Sequence, residues 1–271
     1  MKKAEAETIA NEAKERVEAV FPQYSKLIDS TPIILSSSRD KEKVISRLAA
    51  TVGADYDPAT PGTRAEALVG TNGNAIIIFY FSIDERQLPR VIYHELGHII
   101  SVCSCNNLIA EARQDIVEKR DTLLGNGVSL WNEFIAEVIA YRVEGYVQRN
   151  TWHANFIMER LIDEAVNEER FNQYPFAFYC AMRLVDPAVA AFLNEHPSSS
   201  AGMDRCDDEI VPLIENTLAI LSQQINKAEY WIIDRKTLIA LGECFNDLWD
   251  YCSLKRFDVK FEEFKRYLSD N

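Results

Sequence analysis

In the N-terminal half of the chain the spacing of apolar residues alternates between the helical and the extended period. Residues 3–21 carry Ile9, Ala13, Val17 and Val20 along one stripe, which predicts a helix that ends before Pro22. Thr31 to Ser36 is short and β-branched, as a strand is. Ser37 or Ser38 is then placed to cap a helix reaching about Val52, with Val44, Ile45 and Leu48 facing inward. Gly53 to Gly62, with Pro58 and Pro61, reads as loop. Glu66 to Thr71 and Asn74 to Phe81 read as strands joined at Asn72-Gly73, the strongest hairpin signal in the chain.

From there the period is helical to the end. Ser82-Ile83-Asp84-Glu85 has capping-box spacing, and Pro89 suits a first helical turn. Either marks the start of a helix running to about Val102. A second is expected over 107–124, closed by Gly125-Asn126-Gly127, and a third from Leu130, capped by Ser129, to about Arg149. Further helices are expected near 153–169, 175–194, 208–227, 229–254 and 259–269, with His196 to Gly202 as the expected linker. These elements predict an α+β protein, mainly α. A small three-stranded sheet lies within a first region, 1–150, and an all-helical region follows over 151–271. No internal repeat is evident.

Composition narrows the class. With 47% apolar and 26% charged residues the chain has the profile of an ordinary globular protein. Lys and Arg total 29 against 42 for Asp and Glu, so the net charge is −13. That acidity argues against nucleic acid and against anionic membrane surfaces as partners. Six cysteines set mostly among apolar residues do not suggest a disulfide scaffold. The first residues lead into an amphipathic helix without an apolar signal core, and no run approaches membrane-spanning length, so a cytoplasmic location is expected.

The chemistry is concentrated in Tyr93-His94-Glu95-Leu96-Gly97-His98. A four-residue step on a helix returns to nearly the same angle, so His94 and His98 project side by side. Two neutral imidazoles so placed can bind one zinc ion, and Glu95 beside them can accept a proton from water. The alternative is a pair of core or surface histidines. Gly97 weakens a helix, which points to close packing against a neighbouring backbone.

A catalytic zinc takes three protein ligands and leaves one position open. Glu133 and Glu137 lie four apart among Phe134, Ile135, Val138, Ile139 and Ala140, where a carboxylate is costly unless paired or bound to metal. Glu133 as ligand, with Glu137 accepting from the distal nitrogen of a ligating histidine, accounts for both. Glu118, Glu111 and Asp115 are rival ligands in more solvated settings. A salt-bridged pair with Arg142 or Arg149 is the rival reading of Glu133 and Glu137.

The two segments, His94-Glu95-x-x-His98 and Asn132-Glu133-x-x-x-Glu137, resemble the active site of gluzincins, the thermolysin-like zinc peptidases; Glu137 stands where an aspartate is more usual. The element order of residues 1–150 also resembles minigluzincins and the ImmA/IrrE-like peptidases. The interval from His98 to Glu133 is 35 residues, longer than in thermolysin, so an extra helix must be accommodated. The metzincin pattern would need glycine and histidine at Ser101 and Ser104, and peptide deformylases take a cysteine from upstream of the motif, where there is none. Thiolate ligation by Cys103 and Cys105 would leave Glu95 without a role.

The resemblance implies a zinc metallopeptidase acting on a peptide or protein, with His94, His98 and Glu133 as metal ligands, Glu95 as general base and acid, and Glu137 orienting a histidine. Tyr141, Tyr93, His153, Tyr174, Tyr179 and His196 are all candidates for stabilising the oxyanion. In the family an exposed sheet edge binds the substrate backbone, which makes the hairpin strands candidates. The alternative is a regulatory or interaction protein on the same frame, with structural zinc or suppressed hydrolysis.

Overall fold

The computed structural model describes residues 1–54, 64–115, 122–144, 173–185, 210–225 and 233–270. The expected helix at 153–169, the linker at 196–202 and most of the loop at 53–62 lie outside them. So do Glu118, Arg149, His153 and His196. The described chain is mainly helical α+β, with eight α-helices and one small mixed sheet. It forms two compact units, residues 1–104 with 135–145 and residues 105–134 with 146–271.

In the first unit α1 (Lys3–Val20) buries Ala6, Ala10, Ala13 and Val17. The buried stripe therefore runs through alanines, which let the helix approach its neighbours closely, and the expected Val20 is 44% exposed. A short α2 (Ser25–Asp29) precedes β1 (Ile33–Leu35). Then α3 (Lys41–Val52) starts at Asp40, whose carboxylate accepts from Lys43 N–H at 3.2 Å. The expected caps act one step earlier, where the Ser38 hydroxyl accepts from the Asp40 N–H.

β2 (Ala65–Gly70) and β3 (Gly73–Ile78) form a hairpin in which Gly70 faces Gly73, so Thr71 and Asn72 make the turn and the expected reversal shifts back by one residue. β3 is central, antiparallel to β2 and parallel to β1. Its run of isoleucines is what a strand buried on both faces needs. Ala75, Ile77 and Phe79 join Leu68, Ile45, Ala49 and Val52 in one core between sheet and α3, while Ile76 and Ile78, also fully buried, alternate to the other face. The expected strand end at Phe81 is instead a 3₁₀ turn over Tyr80–Ser82.

Two helices are longer than expected. α4 (Leu88–Gln114) continues through the expected break at 103–106, and α5 (Leu123–Glu144) begins before the expected stop at Gly125-Asn126-Gly127 and runs through it. In the second unit α6 (Gln173–Val185), α7 (Ile210–Ile225) and α8 (Arg235–Asp270) follow, with α7 packed on both others. α8 replaces two expected helices with one, since neither Gly nor Pro interrupts 243–270. A Cβ at Gly127 would collide with the Leu238 carbonyl of α8, and one at Gly242 with the Leu123 carbonyl of α5. These glycines serve a helix crossing rather than a helix end, and Asn126 Nδ2 donates to Asn246 Oδ1 there at 2.8 Å. No described helix is long and apolar enough to cross a membrane.

Glu66 stands opposite Ile77, on the face of β2 that Leu68 turns to α3. Burial pushes its carboxyl above the ordinary range. A group whose folded pKa is raised supports stability below its unfolded pKa and loses that support as pH rises through the folded value. Glu66→Gln is therefore expected to match the wild type in thermal unfolding near pH 4 and to become the more stable protein as pH approaches 7. A wild type that gains on the variant over that interval contradicts the assignment.

Candidate metal centre

The site is built on α4 and α5. Three residues of α4, Arg90, His94 and His98, recur at four-residue intervals and so share one face. Glu133, Glu137 and Tyr141 repeat the interval on α5. Gly97 brings the two together: a Cβ on it would lie 2.6 Å from Ala136 Cα and 3.1 Å from the Ala136 carbonyl. A side chain there would meet backbone, so only glycine permits this separation, as the helix-weakening Gly97 suggested. The helical run around Ala136 is wholly buried, from Phe134 to Ala140 with Glu137 itself 1% exposed.

His94 and His98 face each other with ring centroids 4.5 Å apart, nearly perpendicular, and Nε2 atoms 2.9 Å apart. Two Nε2 ligands of a tetrahedral zinc sit about 3.3 Å apart, from Zn–N bonds of about 2.0–2.1 Å. The rings are thus already converged to within tenths of an ångström of that spacing. A carboxylate oxygen of Glu133 completes a set in which every ligand atom lies within 4.8 Å of the others. The donor chemistry, two imidazole nitrogens and one carboxylate, suits zinc or a similar divalent transition metal. The residues present fit a metal ion.

Glu137 lies behind His94. Its Oε1 is 3.0 Å from His94 Nδ1, a close contact rather than an aligned hydrogen bond, while its Oε2 accepts from Arg90 Nη2. Arg90 Nη1 reaches Glu144, and its guanidinium lies over the Tyr141 ring, 4.8 Å from the centroid. Burial works against the Arg90 charge, but Glu137 and Glu144 outweigh it and raise the pKa further. A carboxylate facing Nδ1 favours the proton there and leaves the Nε2 lone pair bare for a metal. The rival reading paired Glu133 and Glu137 with Arg142 or Arg149. Glu137 pairs with Arg90, which sequence reasoning missed; the one available signal was its position a turn before His94.

Glu95 is buried, at 8% exposure. Glu111 and Asp115, the rival ligands, are held instead by Arg235 of α8, at 2.6 and 2.9 Å. Asp115 is buried, contrary to the solvated setting expected of it. Among the oxyanion candidates, Tyr141 carries Arg90 on its ring. Tyr93 is buried with its hydroxyl accepting from Arg16 at 3.3 Å. Tyr179 and Tyr174 lie on α6 in the second unit, where the Tyr179 hydroxyl accepts from Arg183 at 3.0 Å and burial pushes its pKa up to about 12.

The chain matches no protein-family model, no curated protein and no solved structure.

Gly97→Ala tests the crossing by the sign of its effect. Helix propensity alone would stabilise α4 by up to ~1 kcal/mol. Collision with Ala136 is expected to reverse that, at a net cost of about 1–3 kcal/mol in denaturant unfolding. A neutral or stabilising result rules out the close approach.

Proposed function

We propose that the chain is a zinc-dependent peptidase that uses Glu95 as general base and acid. The observation that carries this reading is the convergence of one ring nitrogen each from His94 and His98, whose Nε2 atoms lie 2.9 Å apart, with a Glu133 carboxylate oxygen, and a buried glutamate directly after the first histidine. His94, His98 and Glu133 would hold the ion. Bound there, zinc supplies Lewis acidity towards the scissile carbonyl and makes a coordinated water easier to deprotonate. The Glu95 carboxylate takes the proton of the attacking water and delivers it to the leaving nitrogen as the C–N bond breaks. Glu137 faces His94 Nδ1 and favours the proton there, and Arg90 pairs with the other oxygen of Glu137.

The resemblance of both helical segments to gluzincins agrees with this assignment, including the acid one turn after the third ligand. A structural zinc gives a buried Glu95 nothing to do, which favours hydrolysis over the regulatory alternative. The peptide or protein substrate is proposed on the same grounds. Within the sheet β3 is central, so the antiparallel strand β2 is the hairpin strand with an outer edge for an extended peptide.

Zinc content by elemental analysis and cleavage of an unstructured protein such as casein test this together. Wild type is expected to carry one zinc per chain and to cleave. Glu95→Gln is expected to keep the metal and lose at least a hundredfold in rate, the lower end of what general acid–base catalysis contributes. Glu133→Ala is expected to lose the metal. Zinc bound equally well without Glu133, or hydrolysis undiminished without Glu95, would sink the assignment.

A further inference from the structure

We propose that Arg90 is the positioning residue of this site: by bridging Glu137 and Glu144 it locks the Glu137 carboxylate against His94 and so aims His94 Nε2 at the metal position. The proposal rests on the reading of His94, His98 and Glu133 as metal ligands.

The two oxygens of Glu137 have separate duties, Oε2 to Arg90 Nη2 and Oε1 to His94 Nδ1. With Oε2 held by Arg90, the carboxylate keeps Oε1 turned to His94 Nδ1, which favours one orientation of that ring. Arg90 is itself fixed on three sides. Its second terminal nitrogen reaches Glu144, two turns along α5 from Glu137, and the Tyr141 ring lies under the guanidinium. Only a planar fork meets two carboxylates and an aromatic face at once; a lysine ammonium is a point charge on a flexible stem. The arrangement also answers the cost of burying Glu137, since a carboxylate at 1% exposure is tolerated only when paired. Neither Arg90 nor Glu144 is offered as a ligand or as a group that touches substrate. Both act through Glu137.

The test uses the full chain, with cobalt(II) and zinc(II) as probes. Affinity is read by chelator competition and ligand geometry by the cobalt d–d absorption bands. Arg90→Lys keeps the charge and is expected to keep the far-UV circular dichroism of the wild type. It is expected to weaken metal affinity by roughly 10–100-fold, the usual effect of losing a partner behind a ligating histidine, and to shift the cobalt bands. Glu144→Gln loosens the fork without unpairing Glu137, so a smaller band shift in the same direction is expected even if the lysine variant folds poorly. Because Arg90 works through Glu137, adding Arg90→Lys to Glu137→Gln is expected to cost less than a further twofold.

Wild-type affinity and unshifted bands in both Arg90→Lys and Glu144→Gln overturn the proposal, as do losses that simply add in the double variant. If the wild type binds neither cobalt nor zinc, the metal reading falls and the proposal with it. If the wild type binds and only the Arg90 effects are missing, the positioning role alone falls.

Discussion

Where α4 passes α5 there is space for Gly97 against Ala136 and for no larger pair, and the candidate site follows from that separation. Each helix carries its functional residues in the same register about the small one. His94 and His98 lie three before and one after Gly97; Glu133 and Glu137 lie three before and one after Ala136. Backbones that approach closely at the middle of such a pattern bring the two four-residue pairs against each other. At an ordinary helix separation the same side chains would face one another without converging on a point. Gly97 weakens its helix by about 1 kcal/mol relative to alanine, a cost the structure tolerates for the sake of the approach.

A second constraint is electrostatic. Glu137 is more deeply buried than Glu133, although Glu133 is the candidate ligand, and it is the residue whose burial most needs an explanation. Arg90 supplies it, and in doing so ties α4 to α5 at the turn before His94 and across two turns of α5. The charged network and the small-residue crossing act along the same pair of helices. One sets how near the helices come, the other how the side chains between them are turned. In the second unit the same device recurs without the chemistry: Gly127 and Gly242 let α5 and α8 cross closely, and Arg235 holds Glu111 and Asp115.

Much of this was legible from local pattern, and the failures share a cause. The strands, the hairpin and α1 were readable because apolar period and turn chemistry are local properties. Gly53 ends α3 where its local pattern says it should, but the break expected at 103–106 and the stop expected at Gly125-Asn126-Gly127 do not interrupt their helices. Gly125 and Gly127 lower helix propensity without ending α5, and at Gly127 the glycine answers to the Leu238 carbonyl of another helix. The buried stripe of α1 runs through Ala6 and Ala10 because its neighbours come close, which the hydrophobicity of Ile9 and Val20 does not reveal. Arg90 went unnoticed because a lone arginine on an amphipathic helix looks like solvated surface until its acceptors are known.

Sequence alone determined that His94 and His98 share a helical face with Glu95 between them, that Gly97 needs a close neighbour, and that two glutamates four apart sit in apolar surroundings. These follow from the periodicity of one helix, which any stretch of sequence contains in full. Which backbone meets Gly97, which cation pairs with Glu137, and that Glu111 and Asp115 belong to Arg235 were decided only by the tertiary structure. Each is a contact between positions about 40 or more residues apart along the chain, and no local period encodes a partner at that distance.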